Sequence, residues 1–125
     1  MAVEIAHYPG RAPIDAYGNG GFRFAGMSHR GSLLLLPSGI YAWSVQAPVE
    51  LNRASFEAVF AERSGIEFLL LGMGADMLLP DAAVRKAFSE AGVGLEPMST
   101  GSAARTYNVL LAEGRKVAAA LIAVA

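Results

Sequence analysis

The chain predicts an α/β layered domain, and three observations carry that reading. In its second half, helical apolar stripes alternate with short apolar runs, the pattern of helices crossing over a sheet. The run at residues 66–71 is apolar nearly throughout, as a strand covered on both faces of a partly parallel sheet should be. The first half instead holds strand-turn-strand patterns, which read as antiparallel hairpins, part of them forming a second sheet.

Taken in order, residues 1–20 hold Pro9-Gly10, Pro13 and Gly18-Asn19-Gly20-Gly21 and read as a loop-rich entry, with hairpin-turn chemistry at Asn19-Gly20. Phe22-Arg23-Phe24 alternates as a half-buried strand does, and Gly26 marks a bend or bulge. Residues 32–36, ended by Pro37-Ser38-Gly39, are placed to pair with residues 40–45 as a hairpin. After Pro48 the period changes: Asn52 caps a helix running through Arg63, with Phe56, Val59 and Phe60 facing inward. Ser64-Gly65 ends that helix and the 66–71 strand follows.

Gly72-Met73-Gly74-Ala75-Asp76 leaves the strand, and Leu79-Pro80-Asp81 starts a helix with Val84, Ala87, Phe88 and Ala91 as its inner stripe, closed by Gly92. A short strand over residues 93–96 leads to a third helix. Ser99, Thr100 or Ser102 can cap it, because a side-chain oxygen there accepts an orphan backbone N–H. Ala103, Tyr107, Leu110 and Leu111 make its inner face, while Arg105 and Asn108 share a different side. Gly114 stops it, and residues 117–125 form a last, wholly apolar strand that reads as central. Right-handed crossovers then complete the sheet. The whole chain, residues 1–125, reads as one domain.

Composition bounds the function classes. Of 125 residues 54% are hydrophobic and 17% charged, which suits a packed core. The formal net charge of −1 supplies no electrostatic reason to expect a nucleic acid or an anionic membrane as partner. Cysteine is absent, so disulfides and thiolate chemistry are unavailable, in keeping with a cytoplasmic protein. The N-terminus lacks the pattern of a signal peptide, and no apolar run approaches the roughly 20 residues of a membrane span. We therefore expect a soluble chain with no direct membrane insertion.

Chemical signals are sparse. Gly72-Met73-Gly74 stands at a strand's C-terminal end, where open α/β sheets place ligands. It fails as a dinucleotide fingerprint, since Met77 stands where the third glycine belongs, and a plain tight turn is the simpler reading. The start of the third helix offers free N–H groups and partial positive charge, and Arg105 could add a bidentate clamp. The alternative is ordinary capping with Arg105 in solvent. His7 and His29 are in no ligand spacing, so no metal site is expected. Ser28-His29 reads as a surface turn, with Arg30 where a nucleophile elbow needs glycine. No carboxylate pair has acid–base spacing, and no cofactor is implied. Tyr41 and Trp43 read as core or interface packing.

The chain also resembles a known family. The residues that carry the likeness are Phe24-Ala25-Gly26, Gly31 through Gly39, Trp43, Leu71-Gly72-Met73-Gly74, and above all the stretch from Met98 to Leu110. Together they look like the small Mth-type domain of unknown function, a family that includes the mitochondrial respiratory complex I assembly factor 3 and the adipogenesis-associated Mth-domain protein. The resemblance spans roughly residues 14 to 124. It implies a three-layer Mth-like fold, in which a central mixed sheet is flanked by helices and an additional β-hairpin layer. It implies no established enzymatic activity. The chain shows no evident mitochondrial presequence and so looks like a stand-alone bacterial member.

Two functional expectations follow. The first is a non-enzymatic binding or assembly protein, similar to complex I assembly factors, acting in the cytoplasm near the membrane on respiratory-chain or membrane-biogenesis proteins, with homo-oligomers allowed. It calls for an exposed apolar patch, expected around the Tyr41/Trp43 hairpin. The second is a small-molecule (anion) binding protein or an undiscovered enzyme. Its pocket would lie between the Gly72–Gly74 loop and the Thr100 helix start, using Gly72, Gly74, Asp76, Ser99, Thr100, Arg105 and Asn108. No catalytic residue can be named.

Overall fold

The computed structural model describes residues 6–125, with side chains from Tyr8 onward. Residues 1–5 and the His7 side chain, and the readings that fell on them, lie outside what is described. Nine strands and three α-helices are arranged in three layers among the described residues. The strands are β1 (Ala6–Tyr8), β2 (Ile14–Gly18), β3 (Gly21–Phe24), β4 (Met27–Arg30), β5 (Ser32–Leu36), β6 (Gly39–Trp43), β7 (Phe68–Gly72), β8 (Gly94–Met98) and β9 (Val117–Leu121). The helices are α1 (Glu57–Ala61), α2 (Ala82–Ala91) and α3 (Thr100–Ala112).

The central sheet is mixed and six-stranded, in the order β1-β6-β5-β9-β7-β8. β9 lies parallel to β7 and antiparallel to β5, so the expected central place of the last strand holds. Side chains alternate strictly across this sheet. Leu34, Leu36, Leu69, Leu71, Ala118 and Ala120 enter one core, and Leu33, Leu35, Leu70, Val117, Ala119 and Leu121 enter the other. The crossovers decide which helix covers which face. β7–α2–β8 steps outward and β8–α3–β9 steps back across β7; two right-handed crossovers in opposite directions place their helices on opposite faces. Val84 and Phe88 of α2 accordingly join the first core, and Ala103, Ala104 and Tyr107 of α3 the second.

The third layer pairs α3 with a separate three-stranded sheet, β2-β3-β4, which drops Ile14, Phe22 and Phe24 into the second core. Both of its connections are two-residue turns with positive φ at both positions, the geometry that matches strand twist. Asn19 and Gly20 lie at φ 52° and 78°, and Ala25 and Gly26 at 50° and 74°.

The fold corrects five local readings. The loop-rich entry contains β1 and β2. Gly26 is the second residue of a hairpin turn, and Ser28-His29 belongs to β4 rather than to a surface turn. The helix expected over residues 52–63 is broken into 3₁₀ turns at Arg53–Phe56 and Arg63–Gly65 around the short α1. The expected cap at Asn52 is present: Asn52 and Ser55 satisfy each other's backbone N–H in a capping box at the start of the first 3₁₀ turn. The strand after α2 starts at Gly94 and runs to Met98, slightly later than expected.

Candidate functional site

The turn after β7 and the start of α3 meet, and the contact between them is close-packed. Ser99 caps α3 by accepting the Ser102 N–H at 3.2 Å. Thr100, fully buried, donates its hydroxyl to the Ile122 carbonyl at 2.7 Å and accepts the Gly74 N–H at 3.0 Å. Its backbone N–H donates to the Gly74 carbonyl at 2.8 Å. Gly72 lies so near that a Cβ there would stand 2.9 Å from Thr100 Cα and from its Oγ1. Glycine at 72 is a requirement of helix–strand approach.

The expected site residues therefore divide. Gly72, Gly74, Ser99 and Thr100 share one corner, and the threonine side chain fills the gap between turn and helix. Asp76 is exposed in the following loop. Asn108 spends its whole amide on β2: Oδ1 accepts the Ile14 N–H and Nδ2 donates to the Ile14 carbonyl, each at 2.8 Å. Arg105 is exposed, with Nη2 at 3.5 Å from Ser102 Oγ. A Cβ on Gly101 would fall on the Tyr17 hydroxyl, so that phenol lies over the first turn of α3. Among the described residues, no group of three or more His, Asp or Glu side chains is gathered as a metal site.

The apolar surface is not at the Tyr41/Trp43 hairpin. Trp43 is buried, its ring tilted against that of Phe56 at 5.7 Å between centroids, with its indole N–H donated to the Ser55 carbonyl at 3.0 Å. The Tyr41 hydroxyl bonds Ser38. Exposed apolar side chains collect instead in the loops that follow β6 and β7, which both finish at this end of the sheet: Val49 is 91% exposed, Met77 56%, Leu78 49% and Leu79 72%. Val49, Leu78 and Leu79 line one concavity with Pro48 and Leu51. Leu79 continues into a second, of about 410 Å³, between α2 and β8. Sequence reasoning passed over these residues, although one signal was there: Met77-Leu78-Leu79 is an apolar run that belongs to neither a strand nor a helix.

A mixed sheet with α2 on one face, and α3 beside a small antiparallel sheet on the other, defines the class as a layered α/β domain of the Mth938-like type. A Bordetella pertussis protein described as a Mth938-like domain superposes with a TM-score of 0.78 at 26% identity, over 98% of this chain and 92% of that one. Residues 14–122 match the family described as protein of unknown function (DUF498/DUF598), and the chain belongs to that family. Its relatives include an uncharacterized protein of Rhodobacter capsulatus, 42% identical over 98% of this chain and 93% of that protein. The mouse NADH dehydrogenase [ubiquinone] 1 alpha subcomplex assembly factor 3 is 30% identical over 98% of this chain, which spans 66% of the mouse protein. A Bartonella henselae structure described as an outer membrane protein is 52% identical, with a TM-score of 0.91 over 95% of this chain and all of that one. Among the described residues no helix is long and apolar enough to cross a membrane.

Proposed function

We propose that the chain is a non-enzymatic binding and assembly protein, acting in the cytoplasm beside the membrane on protein partners of the respiratory chain or of membrane biogenesis. The observation that carries this reading is the exposed set Val49, Met77, Leu78 and Leu79, grouped at one end of the molecule. Covering such side chains stabilises a complex by about 25 cal/mol per Å² of apolar surface removed from water, before the costs of association. Large apolar patches rimmed by polar residues mark interaction sites. The relatives named as assembly factors point to the same class of role.

The test is affinity capture with the tagged full chain from extract of its native host, comparing the wild type with Met77→Asp and Leu78→Asp. Mass spectrometry should identify respiratory-chain or membrane-biogenesis proteins in the wild-type eluate and their loss from both variants. Recovery of neither class would overturn the reading.

A further inference from the structure

We propose that the groove between α2 and β8 receives an extended segment of a partner polypeptide, carrying an apolar side chain and, two residues on, a carboxylate. The inference rests on the assembly reading and names the chemistry of the partner.

Three features converge there. The floor is apolar: Leu79, Pro80, Phe88, Leu95 and Pro97 line it. The wall is an open sheet edge, because β8 is the terminal strand of the six-stranded sheet. Gly94 donates its N–H to Glu67 and Met98 accepts from Met73, so these residues turn their backbone groups toward β7. By strand alternation Leu95 and Pro97 turn theirs outward. The free edge thus presents the Leu95 N–H and the carbonyls of Leu95 and Pro97, beside the groove that their side chains line. Main-chain pairing with a pocket for alternate side chains is the mode by which sheets add an extended peptide. Pro97 removes one donor and restricts pairing to a short segment around Leu95.

The third feature is the cation. Arg85 lines the groove, and its Nε donates to the Pro80 carbonyl at 3.2 Å, which pins the guanidinium while its terminal nitrogens meet no acceptor among the described residues. Neither described ion pair involves it. Glu96 lies on the other face of β8 by alternation. A planar fork of this kind takes a carboxylate in two parallel bonds. A second copy pairing through its own β8 would bring another Pro97 and a like-charged Arg85 to a shared two-fold edge, so the charge favours a different, acidic partner.

The probe is a capped synthetic peptide, Thr-Val-Thr-Leu-Thr-Asp-Thr, and its counterpart with Lys in place of Asp, titrated into the ¹⁵N-labelled full chain. The expected result is amide shifts at Val93, Leu95 and Leu79 together with the Arg85 side chain, and binding about tenfold weaker for the Lys peptide. Arg85→Glu should reverse that preference, and Arg85→Gln should abolish it with the fold intact by circular dichroism. Equal binding of both peptides, shifts confined to other surfaces, or no shifts at millimolar peptide would overturn the proposal. So would edge shifts that grow with protein concentration alone alongside a dimer in sedimentation, since a second copy would then cover the groove. A silent groove with partners still lost on Leu78→Asp defeats this inference and leaves the assembly reading standing. Peptide binding with no partner captured defeats the assembly reading and leaves the groove's chemistry standing.

Discussion

Asn108 pairs with Ile14 as a neighbouring strand would, its amide oxygen on the Ile14 N–H and its amide nitrogen on the Ile14 carbonyl, both at 2.8 Å. The side chain of a helix thereby closes the edge of the small sheet and ties β2 to α3. Asn108→Ala should cost about 1–2 kcal/mol, the usual penalty for leaving such groups unpaired where water reaches them in part. Asn108→Asp should cost at least as much, because a carboxylate cannot donate to Ile14. Urea midpoints measure the loss, and faster hydrogen exchange at the Ile14 amide would place it at this contact.

The Thr100 corner predicts a second asymmetry. Thr100→Val keeps the shape but orphans the buried Gly74 N–H and the Ile122 carbonyl, for a loss of roughly 2–4 kcal/mol, while Thr100→Ser should recover most of it. Gly72→Ala should also destabilise, by about 1–3 kcal/mol, since its Cβ meets the Thr100 backbone. Gly101→Ala meets only the tip of the half-exposed Tyr17, which can swing away, so its effect should be small. Thermal denaturation of the four variants ranks them directly.

Ala25 holds a left-handed conformation at φ 50°, where a Cβ crowds the following carbonyl. Replacing it with Gly or Asn should raise stability by about 1 kcal/mol, because both residues tolerate that conformation in hairpin turns. An unchanged or lowered urea midpoint would show that the turn carries no such strain.

Those residues also explain how legible the fold was. Asn19-Gly20 announces its turn because both residue types favour positive φ, whereas Ala25-Gly26 performs the same turn with an unfavourable residue, and so β4 was hidden behind it. The continuous apolar runs of β5, β7 and β9 and the stripes of α2 and α3 were plain, since burial on both faces or on one sets them. β2 was not: its edge is satisfied by Asn108, 94 positions away in the chain, and no local pattern reports that bond. For the same reason Thr100 and Asn108 looked like candidate ligand groups. A capping threonine and an off-core asparagine read alike whether their polar atoms meet a ligand or the protein's own backbone. The likeness carried by the stretch from Met98 to Leu110 did identify the family, and that stretch includes Thr100, Tyr107 and Asn108, which tie α3 to the sheets.

Alkaline stability offers a further check. Burial raises the Tyr107 phenol from 10.0 to about 12, with the Arg11 cation opposing the rise. Between those values the unfolded chain releases a proton that the native protein retains, so rising pH favours unfolding. The loss should be about 1.4 kcal/mol per pH unit across that window and absent below it. Tyr107→Phe should flatten this part of the profile relative to the wild type, measured by urea denaturation from pH 9 to pH 12.

The central claim, that the Val49–Leu79 end of the molecule is where partners dock, is tested most directly by site-specific photo-cross-linking in living cells of the native host. A photoreactive residue in place of Leu78 should yield cross-linked bands containing respiratory-chain or membrane-biogenesis proteins, and one in place of Arg23, on the small sheet, should not. Equal cross-linking at both positions, or none at Leu78, would contradict the account.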